Sequence, residues 1–357
     1  MRRLHIRGRL LPSDELTDLW IADGKVTFEP VTGAETIASD AWILPGLVDA
    51  HCHIGLGVEG AVDDAAARSQ AALDVAGGVM LVRDCGSPKD TRFLDEDPSA
   101  PRIIRAGRHI ARTKRYIRHA AVEVEPEQLV EEFRRQARAG DGWVKLVGDW
   151  IDRSVGDLAP SFPADVVRDA IAAAHEEGAR VTAHCFGEQA VMEIIEAGVD
   201  CIEHGTGLLD DGIAAMADRG VALVPTMVNL ANFPEYAAQG AAKFPIYSAH
   251  MLDLHARRRE TIGKAFDAGV QIHCGTDAGT VIKHGRAIDE IHELAAIGGN
   301  EFAIGAASWR ARTWLRADNL TEGASADLLV LGTDPRLALD ALRTPTHRIL
   351  RGTLLHV

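Results

Sequence analysis

Short apolar runs alternate with amphipathic stretches along most of this chain. An apolar run favours a buried strand, because a strand exposed on one face would alternate apolar with polar residues. One run leads into His51, and seven more cover residues 79–82, 103–106, 143–147, 180–183, 201–203, 221–224 and 270–274. Between them, apolar residues recur with helical spacing in residues 63–76, 126–139, 164–177, 189–197, 211–219, 248–268 and 287–297, and glycine follows several of these stretches, as it does at helix C-termini.

Eight strands separated by helices predict an α/β protein with a (β/α)8 TIM barrel. The barrel is predicted to span 43–319, with a loop instead of a helix at 87–101 and a further helical stretch at 301–316. Shorter strand patterns occupy both ends of the chain, at 4–10, 18–22, 26–28, 326–331 and 346–355. We expect residues 1–42 and 320–357 to form one small β-sandwich-like domain.

Composition narrows the class of protein. The chain has 357 residues, of which 46% are hydrophobic and 25% are charged, as in ordinary soluble globular proteins. Its net charge of -14, from 38 basic and 52 acidic residues, argues against nucleic acid as a partner. No apolar run is long enough to span a membrane, and the N-terminus does not read as a secretion signal. The five cysteines show no C-x-x-C spacing, which favours free thiols and a cytoplasmic location.

Candidate metal ligands fall at the ends of the predicted strands. His51 and His53 are two residues apart, so on a strand they point to the same face, about 7 Å apart along the backbone, while Cys52 points away. This pair alone is a weak signal. Further metal-capable residues lie in or at the ends of other strands: Lys145, His184, His204 and Asp277. Chemistry in a β/α barrel occurs at the carboxyl ends of the strands, so we expect all six side chains to converge.

The stretches that carry these residues resemble the metal-dependent amidohydrolase superfamily, in particular its imidazolonepropionase-like and prolidase-like members. The matching stretches are 44–53, 181–187, 197–208, 269–279 and 323–331. The resemblance implies that His51, His53 and Asp277 hold one divalent metal ion and that His184 and His204 hold a second. It also implies that Lys145 is carboxylated by carbon dioxide and bridges both. Zn²⁺ suits these ligands best, while Mn²⁺, Fe²⁺ and Co²⁺ are also compatible.

The same resemblance implies a mechanism. A hydroxide shared by the two ions would attack a carbonyl carbon, and Asp277 would act as general acid and base as well as ligand. His284, in the loop after the last strand, is a second catalytic candidate, with loop packing as the alternative. Lys145 has an alternative too, since an ion pair with Asp149 or Asp152 would also explain a lysine within an apolar strand.

The substrate is predicted from two loops. Residues 108–119 are rich in arginine and lysine, and they depart from the Gly-Gly-His pattern that related enzymes carry near this position. We expect this loop to overhang the metal ions, with one of Arg112, Arg115 or Arg118 binding a substrate carboxylate; a solvated loop is the alternative. Tyr116, in the same loop, is expected to line a substrate pocket for a cyclic or apolar group. The long segment 227–247 is predicted to be a loop that acts as a lid.

These patterns predict a hydrolase that cleaves a C–N amide bond in a dipeptide, an N-acyl amino acid or a cyclic amide. One alternative is a lactonase, esterase or phosphotriesterase that uses the same two-metal site. An alternative of another class is a catalytically inactive scaffold relative. We expect a small-molecule substrate carrying a carboxylate and neither nucleic acid nor membrane as a partner, and the oligomeric state stays open.

Overall fold

The structure is a computed structural model in which residues 2–355 are described. Its strands are β1 Leu4–Leu10, β2 Glu15–Ala22, β3 Lys25–Thr27, β4 Glu35–Pro45, β5 Leu47–Cys52, β6 Leu56–Gly57, β7 Gly60–Ala61, β8 Val79–Asp84, β9 Arg102–Arg105, β10 Ile110–Arg112, β11 Val122–Val124, β12 Trp143–Val147, β13 Asp149–Asp152, β14 Asp157–Pro160, β15 Arg180–Cys185, β16 Cys201–His204, β17 Ala222–Val224, β18 Leu328–Leu331, β19 His347–Leu350 and β20 Thr353–Leu355. The fold is mixed α/β.

The helices are α1 Asp64–Ala76, α2 Leu129–Ala139, α3 Ala164–Glu176, α4 Glu188–Ala197, α5 Asp210–Arg219, α6 Met227–Leu230, α7 Phe233–Gly240, α8 Pro245–Asp267, α9 Ala287–Gly298, α10 Asn300–Ala306 and α11 Trp309–Trp314. Short 3₁₀ turns lie at Arg92–Leu94, Pro126–Gln128 and Leu339–Arg343.

Both chain ends contribute to one seven-stranded sheet, in the order β20-β19-β18-β4-β1-β2-β3. The hairpin between β2 and β3 turns at Asp23 and Gly24, whose φ angles of 51° and 79° fit the left-handed region that a tight two-residue hairpin needs. The buried face of the seven-stranded sheet carries Ile6, Ile21 and Val330. All seven strands belong to one sheet, so the predicted β-sandwich is not confirmed.

The parallel strands form two sheets, β5-β8-β9 and β11-β10-β12-β15-β16-β17. Residues 270–274, predicted as the eighth strand, bridge the two sheets on one side, because the Leu223 amide donates to Gln271 and the Ala50 amide donates to Cys274, each at 2.8 Å. On the other side β9 and β10 are separated by a bend at Gly107, whose φ is +69°. The strand pairing therefore does not form the continuous closed barrel that the sequence predicts.

The helices follow the predicted ranges closely, with two differences. Segment 227–247 is not a loop but contains α6, α7 and the start of α8. Pro234 and Pro245 lie in the first turns of α7 and α8, where a missing amide hydrogen costs nothing and proline is tolerated. The helical stretch 301–316 is divided into α10 and α11 by residues 307–308.

Helix α8 is attached to the hairpin of β13 and β14. The Tyr247 amide donates to the Gly156 carbonyl at 3.2 Å. His250 contacts Asp157 through Nδ1 at 3.0 Å and Glu188 of α4 through Nε2 at 2.9 Å. The hydrogen bond with Glu188 and then the bond with Asp157 raise the pKa of His250 to about 9, against the opposing effect of burial.

Replacing His250 tests this attachment. Its pKa in the folded state is about 9, above the ordinary value of 6.5, so its stabilising effect is complete below about pH 6.5 and is lost as the pH rises through about 9. We expect His250→Gln to lower the free energy of unfolding by about 1 kcal/mol at pH 6, after allowance for solvent screening, and by almost nothing at pH 10. Urea unfolding at both pH values measures the difference.

His255→Gln on the same helix is the matched control. Burial lowers the pKa of His255, so protonation of His255 does not stabilise the folded protein. Replacing this residue should therefore not lower the free energy of unfolding at pH 6 more than at pH 10. Equal destabilisation of the His250→Gln protein at pH 6 and pH 10 would contradict the ion-pair interpretation.

Candidate metal centre

The carboxyl ends of the parallel strands bring the predicted ligands together. Three of their atoms lie almost equally far apart: His51 Nε2 and His53 Nε2 are 3.3 Å apart, and Asp277 Oδ1 is 3.2 Å from the first and 3.0 Å from the second. Two ligands about 2.0–2.1 Å from one zinc ion at a tetrahedral angle are roughly 3.3 Å apart. The spacing of this trio therefore fits a single bound cation.

The remaining histidines lie beside this trio. The ring centroids of His51 and His204 are 5.2 Å apart, and those of His204 and His184 are 4.8 Å apart. Strand pairing sets His184 opposite Val147 and Lys145 opposite Thr182, on neighbouring strands. Five of the six predicted ligands are buried, and Asp277 is half-buried. His184 and His204 thus lie beside the trio, and Lys145 lies on the strand that pairs with the strand of His184.

Polar contacts orient the imidazole rings. His53 Nδ1 lies 2.8 Å from the Gly86 carbonyl, which can only accept, so Nδ1 carries the proton and Nε2 presents a lone pair. His51 Nδ1 lies 2.7 Å from a Glu203 carboxylate oxygen, and His204 Nδ1 lies 2.7 Å from the Thr226 hydroxyl. Such outer contacts fix the orientation of metal-binding histidines. In this arrangement the Nε2 atoms of all three are left for a ligand.

The ionisation states also suit metal binding. Burial lowers the pKa of His204 to about 3 and holds those of His53 and His184 below the ordinary value, so these imidazoles remain neutral at pH 7. Burial would raise the pKa of Asp277, but the positive charge and hydrogen bond of His51 hold it well below the ordinary value. Neutral imidazoles and an ionised carboxylate are the forms that ligate a cation. His51 is the exception: burial lowers its pKa, but the carboxylates of Glu203 and Asp277 outweigh this effect and raise it, so His51 would lose a proton on binding a cation.

The backbone is constrained where the ligands turn inward. His204 and Asp277 adopt left-handed φ angles of +67° and +60°, a conformation that costs non-glycine residues about 1 kcal/mol or more each. Asp49 joins the strand that carries His51 to the residue before Asp277. Its carboxylate accepts from the His51 amide at 3.1 Å and from the Thr276 amide at 3.0 Å. The fold thus maintains a strained geometry at two of the candidate ligands.

Lys145 is buried without a partner. Its side chain is 1% exposed, and within residues 2–355 its Nζ atom has no hydrogen-bond partner. The predicted alternatives do not hold in this part of the chain: Asp149 accepts from the amides of Phe186 and Gly187, at 2.9 and 2.6 Å, and Asp152 is paired with Arg115. A buried amine that lacks a partner is costly, and this lysine lies on the strand next to His184.

A buried ion pair supports the site, and the sequence did not indicate it. Arg83 Nη2 donates to Glu203 Oε1 at 2.6 Å, and both side chains are fully buried. The Arg83 guanidinium also packs against the rings of Trp143 and Trp314, 4.6 and 4.8 Å from their centroids. Burial alone would raise the pKa of Glu203, but Arg83 and then His51 hold it well below the ordinary value. Glu203 therefore remains ionised beside His51.

A cavity of about 450 Å³ opens above the ligands. Aromatic side chains dominate its wall: Tyr116, Trp150, Phe186, Tyr236, Phe244 and Tyr247. Helices α7 and α8 supply part of this wall, so the segment predicted as a lid does cover the site. Asn229 of α6, which the sequence did not single out, donates from Nδ2 to Asp277 Oδ2 at 2.7 Å and accepts from the Tyr236 hydroxyl at 2.9 Å.

His109 is a second residue that the sequence did not single out. Its ring stacks on that of His53 with centroids 4.7 Å apart. It is buried, and in the described chain neither ring nitrogen has a hydrogen-bond partner. Burial lowers its pKa well below the ordinary value, so the ring is neutral. A buried neutral imidazole that stacks on a candidate ligand can hold the plane of that ligand's ring.

The predicted arginines lie elsewhere than expected. Arg115 donates to the carbonyls of Trp150, Ala159 and Pro160, at 2.9 to 3.0 Å, and Arg112 contacts the Ser161 carbonyl at 3.4 Å. Arg115 thus holds the basic loop against the β13–β14 hairpin and is not free to bind a carboxylate, while Arg112 is half-buried near Ser161 and Glu125. Tyr116 does line the cavity, and Arg118 is exposed at its outer side.

His284 does not lie in the cavity wall. Its Nδ1 contacts Asp74 Oδ2 of α1 at 2.8 Å, and the Gly285 amide donates to the other oxygen of Asp74 at 2.8 Å. It is grouped with Cys52 and Asp74, on the face of β5 opposite to His51 and His53. The expected catalytic role therefore gives way to loop packing.

The comparisons with known proteins assign the class. Residues 42–350 match the model of the amidohydrolase family, and the chain therefore belongs to that family, whose members are enzymes that hydrolyse carbon–nitrogen bonds and generally use divalent metal ions. An uncharacterized protein of Mycobacterium tuberculosis is 55% identical over 354 residues, covering 98% of this chain and 95% of that protein.

Two solved structures share the fold. A Xaa-Pro dipeptidase with bound methionine has a TM-score of 0.82 and 22% identity, covering 99% of this chain and 100% of that one. The ochratoxinase of A. niger has a TM-score of 0.78 and 20% identity, covering 99% of this chain and 95% of that one.

No helix within residues 2–355 is long and apolar enough to cross a membrane.

The support from Glu203 is testable by substitution. Glu203→Gln removes the charge that faces His51 and leaves the Arg83 guanidinium buried without a counter-charge. We expect the free energy of unfolding to fall by about 3–5 kcal/mol and the metal affinity of the folded protein to fall about 10–100-fold. Competition with a chromophoric chelator measures the affinity, and circular dichroism measures the folded fraction.

Glu196→Gln, at an exposed position of α4, is the control for loss of one negative charge. A folded Glu203→Gln protein that binds metal as tightly as this control would show that the Glu203 contact does not matter to the site.

Proposed function

We propose that this protein is a metal-dependent hydrolase that cleaves a C–N amide bond in a dipeptide, an N-acyl amino acid or a cyclic amide. The observation that carries the proposal is the trio of His51 Nε2, His53 Nε2 and Asp277 Oδ1, mutually within 3.3 Å. His51, His53 and Asp277 would hold one divalent ion, and His184 and His204 a second. Zn²⁺ is the first choice for this ligand set.

In the form of its carbamate, Lys145 would bridge the two ions. An ammonium cannot ligate a cation, whereas a carbamate offers two anionic oxygens. The addition of carbon dioxide to the neutral amine forms one N–C bond and releases one proton. The support for this assignment is the burial of an amine that has no partner in residues 2–355, next to His184 on the neighbouring strand.

The proposal extends to the architecture. Residues 43–319 would form a (β/α)8 barrel that is interrupted only at the Gly107 bend, and residues 1–42 with 320–357 would form the small β domain. Support comes from residues 270–274, which hydrogen-bond to both parallel sheets. All five cysteines are buried and free, as a reducing cytoplasm would allow.

The bound ions would supply a water acidic enough to attack at neutral pH and would polarise the scissile carbonyl. The chain supplies the proton transfers and the orientation. Asp277 would take the proton of the attacking water and deliver it to the leaving nitrogen. Asn229 holds the second oxygen of that carboxylate at 2.7 Å, which fixes its plane, and the stacked ring of His109 would hold the plane of His53.

The cavity sets the kind of substrate. Its aromatic wall favours an apolar or ring-containing group next to the scissile bond, and its 450 Å³ volume is in the range of small-molecule sites. The Xaa-Pro dipeptidase with the same fold is consistent with dipeptides as one substrate class. The partners are thus small molecules.

Turnover of amides is the direct test. The zinc-loaded protein should release amine from a panel of dipeptides, N-acyl amino acids and cyclic amides faster than it opens a matched panel of lactones. Asp277→Asn should lower kcat about 10²–10⁴-fold, since it removes the proton acceptor. Asp211→Asn, an exposed change on α5, is the control and should retain activity. Lactone hydrolysis without amide hydrolysis would replace the proposed reaction, and a metal-loaded protein inactive on both panels would favour a scaffold.

Lys145→Met tests the bridge. The variant keeps an unbranched apolar side chain, one atom shorter, but cannot be carboxylated, so we expect the metal content to fall from about two ions per chain to one or fewer. Wild-type protein in ¹³C-bicarbonate should show a carbamate carbon signal that the variant lacks. Lys264→Met, at an exposed position of α8, serves as the control. A variant that keeps full metal content and activity would rule out the bridging role.

A further inference from the structure

A second cavity adjoins the aromatic one on its outer side. It measures about 610 Å³ and shares part of its wall with the inner cavity, namely Tyr116, Trp150, Ile151, Lys243 and Phe244. The two spaces are therefore adjacent, and the inner one reaches the candidate metal centre. We call the outer space the vestibule.

Positive charge is concentrated in the vestibule wall. Its lining includes four cations, Lys114, Arg118, Arg153 and Lys243, against a single carboxylate, Glu123. All four cations are exposed. This composition is unusual in a chain whose net charge is -14.

The vestibule cations have no acidic neighbours at ion-pair distance. Within residues 2–355, none of the four lies within 4.0 Å of a carboxylate oxygen, although most arginines elsewhere in the chain do. Two arginines of the same basic loop are paired in this way: Arg112 is 3.7 Å from Glu125, and Arg115 is 3.4 Å from Asp152. Lys114 and Arg118 of this loop, which line the vestibule, make no such ion pair within the described part of the chain.

The fold holds the three segments that carry these charges together. Lys114 and Arg118 lie on the basic loop, Arg153 on the turn between β13 and β14, and Lys243 between α7 and α8. Arg115 fixes the loop to the hairpin through three backbone carbonyls. The hairpin is fixed to α8 by the hydrogen bond between Tyr247 and Gly156 at 3.2 Å.

We propose that the vestibule binds the anionic end of the substrate, a carboxylate-bearing group, while an apolar group of the same molecule lies in the aromatic cavity. This inference rests on the proposed amide hydrolysis and narrows its substrate to amphipathic amides, such as an aromatic acyl group joined to an acidic amino acid. Exposed cations attract anions mainly through screened Coulomb forces, and arginine adds two-pronged contacts to carboxylates. The carboxylate contact predicted for Arg112 and Arg115 is thus reassigned to their neighbours.

The test compares two probes that differ only in charge. N-benzoylglutamate has an aromatic acyl group and two carboxylates, and its neutral counterpart is the corresponding diamide. Calorimetric titration of the zinc-loaded protein gives the ratio of the two Kd values, and release of benzoate gives turnover. In wild type we expect the anionic probe to bind at least about tenfold more tightly at about 20 mM salt and to lose most of this preference at about 0.5 M, where the Debye length is only a few ångströms.

The double variant Lys114→Gln/Arg153→Gln removes two charges that line the vestibule but not the inner cavity. It should reduce the preference for the anionic probe at least about fivefold at low salt. Arg168→Gln, at an exposed position on α3, is the control and should leave the preference unchanged. An unchanged preference in the double variant, or an equal reduction in the control, would overturn the proposal.

Two further outcomes test separately which anion the vestibule recognises and whether the protein hydrolyses amides. A tenfold preference for N-benzoyl-O-phosphoserine over N-benzoylglutamate would overturn the carboxylate as the recognised group in favour of a phosphate. Selective binding of N-benzoylglutamate that disappears in the double variant would support the vestibule even if no amide were hydrolysed, and in that case the proposed reaction alone would fail.

Discussion

Desolvation of charge is the constraint on which the rest of this structure depends. The carboxyl ends of the parallel strands bury an amine, a carboxylate and several imidazoles within a few ångströms of one another, and Lys145 is 1% exposed. Taking such groups out of water costs several kcal/mol each unless partners compensate. Arg83 and Glu203 compensate each other. The lone pairs of His51, His53 and Asp277 converge on one point, where a cation would compensate them.

Two residues of the candidate metal centre have strained backbone conformations. His204 and Asp277 adopt left-handed backbone conformations, and they end segments that the surrounding parallel strands hold in place. Imidazole orientation is fixed from outside by a carbonyl, a carboxylate and a hydroxyl. Because these contacts come from the strands and from short connections, the ligand atoms are positioned before any substrate arrives. The basic loop and α6 to α8 form much of the cavity wall, and a substrate would meet these segments first.

Much of the fold and the ligand set could be predicted from sequence because both follow from periodicity. Strand alternation places His51 and His53 on one face, and the apolar runs locate Lys145, His184 and His204 at or near strand ends. Contacts between distant residues leave no such pattern. Arg83 and Glu203 are 120 positions apart, and no local signal pairs them. For the same reason the anchoring of Arg115 by backbone carbonyls, the burial of His284 behind β5, and the bend at Gly107 that interrupts the sheet were not predictable.

A crystal structure of the protein grown with zinc and bicarbonate tests the central claim most directly, with anomalous scattering to count the ions. The account predicts two anomalous peaks, one beside His51, His53 and Asp277 and one beside His184 and His204, with density for three additional atoms on the Lys145 amine between them. An unmodified Lys145 amine, together with a single peak or none, would contradict it.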